Sequence, residues 1–187
     1  LGLEAPRPSR NDPDERCQEA VEDAVPALVE LREAGVVGAI GVGMNQSAML
    51  ARFIRETDVD VVMLAGRYTL LEQAAADDLL PTALEQSRSV VAAAVFNSGI
   101  LGREEVPATA TYNYQQASHD VLERARLLAS VCREHGTTLP AAAIHFPLRH
   151  PAVASVVVGM RSPEEVRHNL AAHAQQVPDE LWADLEY

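Results

Sequence analysis

The chain has 187 residues, 48% of them hydrophobic, and sets 15 basic against 27 acidic side chains for a net charge of −12. That size and composition suit one globular domain and exclude a disordered chain, and the acidic balance excludes a nucleic-acid-binding surface. No apolar run approaches the ~20 residues of a membrane-spanning helix, and no charged-then-apolar signal segment opens the chain, so no membrane partner is expected.

In chain order, residues 1–10 hold two prolines and three charged side chains and predict an irregular lead-in. The acidic stretch 12–23 reads as a solvated surface. Pro26 suits the first turn of a helix running to Glu33 and closed by Gly35. Short aliphatic runs at 36–42, 59–64, 89–95 and 154–158 predict strands, apolar on both faces as in a buried parallel sheet. Between them, 47–56 places Met49, Leu50, Phe53 and Ile54 on one helical face, and 118–135 repeats that pattern up to Gly136. Residues 97–117 form a long polar connection with Tyr112 and Tyr114, a length typical of binding loops and equally of mobile insertions. Ser162, Pro163 and Glu165 predict a capped helix over 163–172. Alternating strands and helices give an α/β chain with a parallel sheet. Eight such units take ~250 residues and rarely fewer than ~200, so four units amount to half a (β/α)₈ barrel.

Chemistry-bearing residues narrow the functions further. All fifteen basic side chains are arginine, so no mechanism needing a lysine amine is open to these residues. Cys17 and Cys132 lie far apart, which predicts a reduced, cytoplasmic protein. The pairs His145/His150 and His168/His173 are each five apart, off a common helix face, so no metal site is expected. His145 is expected to pack near the core or to face solvent. No GxSxG elbow is present for a serine hydrolase.

Four segments carry a resemblance. Residues 35–46 (GVVGAIGVGMNQ), 64–71 (LAGRYTLL), 95–101 (VFNSGIL) and 152–162 (AVASVVVGMRS), followed by Glu165 and Asn169, come in the order of the last four strand ends of the aldo-keto reductase family. They most resemble the branch that includes L-fucose, D-threo-aldose, L-galactose and pyridoxal dehydrogenases. The tail around Val177, Pro178, Leu181 and Trp182 fits as well, so the likeness runs over roughly 12–185. It implies the C-terminal half of a (β/α)₈ TIM barrel, strands five to eight with their helices and the first half absent. Residues 1–187 would be one partial domain, with 1–12 an irregular remnant of the fourth-strand region. Leu1 in place of Met fits a reading frame that begins upstream.

The resemblance also implies a site. NAD or NADP would lie across the C-terminal ends of the strands. Asn45 would meet the nicotinamide carboxamide. Ser98, Gly99 and Leu101 would wrap the pyrophosphate. Gly159, Arg161 and Ser162 would meet the adenosine phosphate end at a helix N-terminus, and Asn169 the adenine. Glu165 would disfavour a 2′-phosphate and so favour NAD, or serve only as a capping residue. The family's aspartate, tyrosine and lysine belong to the first half, and Asn11, in Asn11-Asp12-Pro13-Asp14, stands where the family has histidine. No catalytic residue is therefore assigned. The implied reaction is NAD(P)-dependent oxidation of a sugar to its lactone by hydride transfer, with the chain alone a fragment that is inactive. The alternative is a non-catalytic half-barrel that binds a nucleotide or self-associates through exposed barrel edges.

Overall fold

The computed structural model describes residues 13–185. The lead-in and Asn11 lie outside the described residues. In chain order the elements are α1 (Pro13–Glu19), a π-helical turn (Ala20–Ala24), α2 (Val25–Glu33), β1 (Gly41–Met44), α3 (Ser47–Glu56), β2 (Val61–Ala65), a 3₁₀ turn (Ala74–Ala76) and α4 (Leu79–Glu85). There follow β3 (Ser89–Ala93), a hairpin of β4 (Thr111–Tyr112) and β5 (Gln115–Gln116), α5 (His119–Glu134), α6 (Leu139–Leu148), β6 (Val153–Val157), α7 (Pro163–Ala174) and α8 (Glu180–Leu185).

β1, β2, β3 and β6 form one parallel sheet in that order. Strands laid down in chain order by crossovers of one hand put every helix on the same face. The burial pattern agrees. Val62, Leu64, Val90 and Ala92 are at most 1% exposed, packed beneath the helices with Leu50, Phe53, Ile54, Leu79 and Leu80. The other face is open: Met63 is 40% exposed and Val157 44%. Both faces were expected to be buried, and here only the helix-covered one is.

The first strand also starts later than its aliphatic run suggests. Gly35 takes a left-handed φ of 72, its N–H donates to the Arg32 carbonyl, and the Val36 N–H reaches back to the Leu31 carbonyl at 3.0 Å. This is a Schellman closure of α2. It commits Val36 to the helix end, 68% exposed, and pairing begins only at Gly41. At the far edge Val90 pairs with Val153 but Val91 with Ser155, so Ala154 is a bulge that restores β6 to the facing pattern of its neighbours.

α3 has the predicted bounds. α5 is capped by Ser118, which accepts from the Val121 N–H, and closes before Gly136 at φ 70. α6 follows no amphipathic spacing. α6 is apolar all round and carries Pro140 and Pro147, and its eight apolar residues from Leu139 to Pro147 are buried with His145 half-buried among them. Its ring stacks on His173 at 5.4 Å, and its Nε2 pairs with the His173 carbonyl at 2.9 Å. Cys132 is buried in α5 and its thiol is pushed up to about 11 by that burial, which leaves it inert. No helix among the described residues is long and apolar enough to cross a membrane.

Candidate functional site

Parallel strands bring their C-terminal ends to one end of the sheet, and the loops there are where such folds place binding groups. A cleft of about 1230 Å³ opens at that end. One wall is the loop after β3; the other is the turn after β6 and the start of α7.

The β3 loop is wound tightly by left-handed residues. Ala94, Asn97, Ser98 and Gly99 have φ of 53, 44, 60 and 92. For three residues with a Cβ this conformation costs free energy, and such strain gathers at ligand-binding loops. Backbone bonds hold the loop, among them Asn97 N–H to Ala94 O at 2.9 Å, Gly99 N–H to Phe96 O at 3.0 Å and Leu101 N–H to Phe96 O at 3.1 Å. Asn97 is 4% exposed and donates from Nδ2 to the Gly66 carbonyl at 3.1 Å, tying this loop to the one after β2.

On the other wall Ser162 caps α7, its Oγ accepting from the Glu165 N–H at 3.2 Å. The carboxylate of Glu165 reaches past the cap. It accepts from the Arg161 backbone N–H at 2.7 Å and from Arg161 Nη2 at 3.0 Å, and this guanidinium holds its carboxyl below the usual range. Glu164 is held low by its own backbone N–H, then by Ser162 and Arg167. Two carboxylates therefore crowd the positive end of the α7 dipole.

Of the residues expected to bind, the cleft gathers Ser98, Gly99, Gly159, Arg161, Glu165 and Asn169. Leu101 is fully buried beneath the loop and Ser162 is spent on the cap. Asn45 is exposed at the end of β1, on the far edge of the sheet, outside the lining. Asn97, Thr111 and Tyr114, all from the long connection whose length suits a binding loop, also line it, as does His168, of which the spacing gave no hint. Left-handed backbone at non-glycine residues leaves no mark in composition, and the hairpin turn is Asn113-Tyr114 rather than the recognisable Asn-Gly.

Two glycines leave the rim of this cleft unobstructed. A Cβ built on Gly99 or Gly159 would meet no atom within 4 Å, so both glycines leave open space beside the backbone, as a closely approaching phosphate requires. Neither Tyr68, which is buried, nor Tyr112, which is half-buried, has a lowered hydroxyl pKa. Burial pushes Tyr68 up, and burial with the Glu72 carboxylate beside it pushes Tyr112 up. Among the described residues no cluster of three or more His, Cys, Asp or Glu could hold a metal.

Comparisons with known proteins agree with this arrangement. D-threo-aldose 1-dehydrogenase from Pseudomonas sp. is 45% identical over 178 residues, covering 95% of this chain and 53% of that protein. Pyridoxal 4-dehydrogenase from Microbacterium luteolum is 40% identical over 85% of this chain and 46% of its own length. The chain thus spans about half the length of the curated relatives it matches. Among solved structures, an aldo-keto reductase from Bacillus halodurans in its holo form superposes with a TM-score of 0.71 at 21% identity, covering 89% of this chain and 56% of that one. The glycerol dehydrogenase from Gluconobacter oxydans gives 0.70 at 17%, over 90% and 54%. These likenesses establish the TIM-barrel fold of the family for the sheet described above. The family model for the aldo/keto reductases matches residues 5–187, nearly the whole chain, and with it the chain belongs to the aldo/keto reductase family.

Proposed function

We propose that this chain supplies the NAD(P)-binding part of an oxidoreductase of the aldose 1-dehydrogenase type, and that the 187 residues alone bind the dinucleotide without turning over a sugar. The observation that carries this is the cleft between the left-handed β3 loop and the capped start of α7, with open space at Gly99 and Gly159. NAD(P) bound there would supply the hydride acceptor for oxidation of a sugar to its lactone. Ser98 and Gly99 border the pyrophosphate path; Arg161, Glu165 and Asn169 border the adenosine end. Glu164 and Glu165 set negative charge where a 2′-phosphate would lie, and Arg161 is already engaged by Glu165, so NAD is favoured over NADP.

Inactivity of the chain alone follows from its own residues. There is no lysine, and Tyr68 and Tyr112 are both pushed up rather than down. Calorimetric titration of the purified chain with NADH and NADPH tests the binding. Micromolar affinity with NADH preferred is expected, and no heat with either overturns the assignment. Turnover of L-fucose or D-arabinose with NAD would overturn the inactivity.

A second reading is favoured by the open sheet face and by the edges of β1 and β6, which are unpaired among the described residues. Two copies related by a twofold axis would set β6 of one beside β1 of the other, parallel at both seams, and bury Met63 and Val157. A native mass of twice 20.2 kDa supports it, and a single-chain mass rejects it.

A further inference from the structure

The open side of the cleft carries an aromatic ring that the fold holds out in water. Tyr114 is 99% exposed, on the turn between β4 and β5, and it lines the cleft. Single exposed apolar residues are ordinary on protein surfaces, so exposure alone says little. The support beneath this ring is what sets it apart.

Asn113 and Tyr114 have φ of 49 and 64, the left-handed pair that a type I′ hairpin turn demands. The hairpin is pinned along β4 and at the turn itself. Thr111 Oγ1 donates to the Ser98 carbonyl at 3.2 Å, so one strand is fastened to a wall of the cleft itself. The Tyr112 hydroxyl donates to the Glu72 carboxylate. Arg67 Nη1 donates to Glu72 at 3.2 Å and to Asn113 Oδ1 at 3.3 Å, which fastens the turn to the loop after β2. The two hairpin tyrosines thus divide their roles: Tyr112 is half-buried with its hydroxyl committed, and Tyr114 is presented on a fixed mount.

We propose that Tyr114 stacks on the adenine base of a dinucleotide seated in the cleft and covers its open side. This rests on the assignment of the cleft to NAD(P). The adenine end is chosen because Arg161, Glu165 and Asn169, which the family resemblance assigns to the adenosine, are all in the lining, whereas Asn45, the expected carboxamide partner, lies outside it. Stacking needs only a planar face on each partner, and a turn anchored before the ligand arrives confines the ordering cost to the torsions of the ring itself. The hydroxyl of Tyr114 has no part in it.

The test is calorimetry on the full chain with NADH, ADP-ribose and nicotinamide mononucleotide, for the natural sequence, Tyr114→Ala and Tyr114→Phe. Tyr114→Ala is expected to weaken NADH and ADP-ribose by about tenfold, leave the mononucleotide unchanged and keep the melting temperature, since so exposed a side chain supports little packing. Tyr114→Phe is expected to keep the natural affinities. Equal affinities of Tyr114→Ala and the natural chain for NADH and ADP-ribose overturn the stacking. Weakening confined to NADH and the mononucleotide overturns the choice of the adenine end. If the natural chain binds none of the three, the cofactor assignment falls and takes this inference with it.

Discussion

Asn97 reaches from the loop after β3 to the loop after β2, where its Nδ2 donates to the Gly66 carbonyl at 3.1 Å. Both residues are left-handed, with φ of 44 and 67. The bond extends the contact between β2 and β3 past the end of their ladder, where the Gly66 N–H donates to the Ala93 carbonyl at 2.9 Å. Replacing Asn97 by alanine removes the donor and leaves a buried carbonyl without it, a loss of about 1–3 kcal/mol. Urea unfolding of Asn97→Ala should show that loss, with dinucleotide affinity falling in parallel because Ser98 and Gly99 lose their support. Unchanged affinity would separate this bond from the cleft.

Gly41 and Gly43 lie two residues apart on one strand and should answer differently to the same substitution. A Cβ at Gly41 would stand 2.1 Å from the Val61 carbonyl oxygen, whereas at Gly43 the nearest atom is Met63 Cβ at 3.4 Å. Gly41→Ala is expected to push β1 off β2 and cost at least ~1–3 kcal/mol, as overpacking does. Gly43→Ala should be tolerated, with a gain of up to ~0.4–1 kcal/mol through the unfolded state. Thermal melts of the two variants check the contrast.

At the opposite end of the sheet, Asp60 accepts from Arg32 Nη1 at 2.8 Å and from the Ile40 N–H at 2.8 Å, while Asp58 pairs with Arg32 and Arg88. The Arg32 guanidinium is the first cause that holds both carboxyls below their usual range. Carboxylates with lowered folded-state values stabilise the fold above the unfolded value near ~3.9 and lose that contribution as pH falls through the folded one. The urea midpoint should therefore stay flat on this account from neutral pH down to about 5 and fall below about 4. Asp60→Asn should be less stable at neutral pH and show a shallower acid loss.

Glu165→Gln should relax the choice of cofactor. The substitution removes one negative charge from the start of α7 and frees the Arg161 guanidinium from its ion pair. A unit charge ~4 Å away in water is worth ~1 kcal/mol. NADPH affinity is thus expected to rise about fivefold relative to NADH, an effect that shrinks with added salt. An unaltered NADH-to-NADPH ratio would leave Glu165 with its capping role alone.

The sequence spoke most clearly where one local force dominates. The stripe of Leu50, Phe53 and Ile54 placed α3, and the Ser162-Pro163-Glu165 cap placed the start of α7, because spacing and capping act within one turn. Val36 misled because an aliphatic residue reads alike in a strand and in a helix-closing turn, and only the bond to Leu31 decides between them. α6 stayed hidden because a helix buried on all sides has no polar face to give it a period. In the site, glycines and the cap were legible, whereas Asn97 and Tyr114 depend on left-handed backbone that only the surrounding fold can impose.

The bulged seam between β3 and β6 joins the two strands farthest apart in sequence among neighbours of the sheet, with the hairpin, α5 and α6 between them. Closing so long a crossover carries the largest loop entropy in the sheet, so β6 is the last strand that can be recruited. The two walls of the cleft stand on either side of that seam. Any molecule that bridges them ties the final step of folding to its own occupancy, and a chain that opens at this seam releases its ligand before the rest of the sheet gives way.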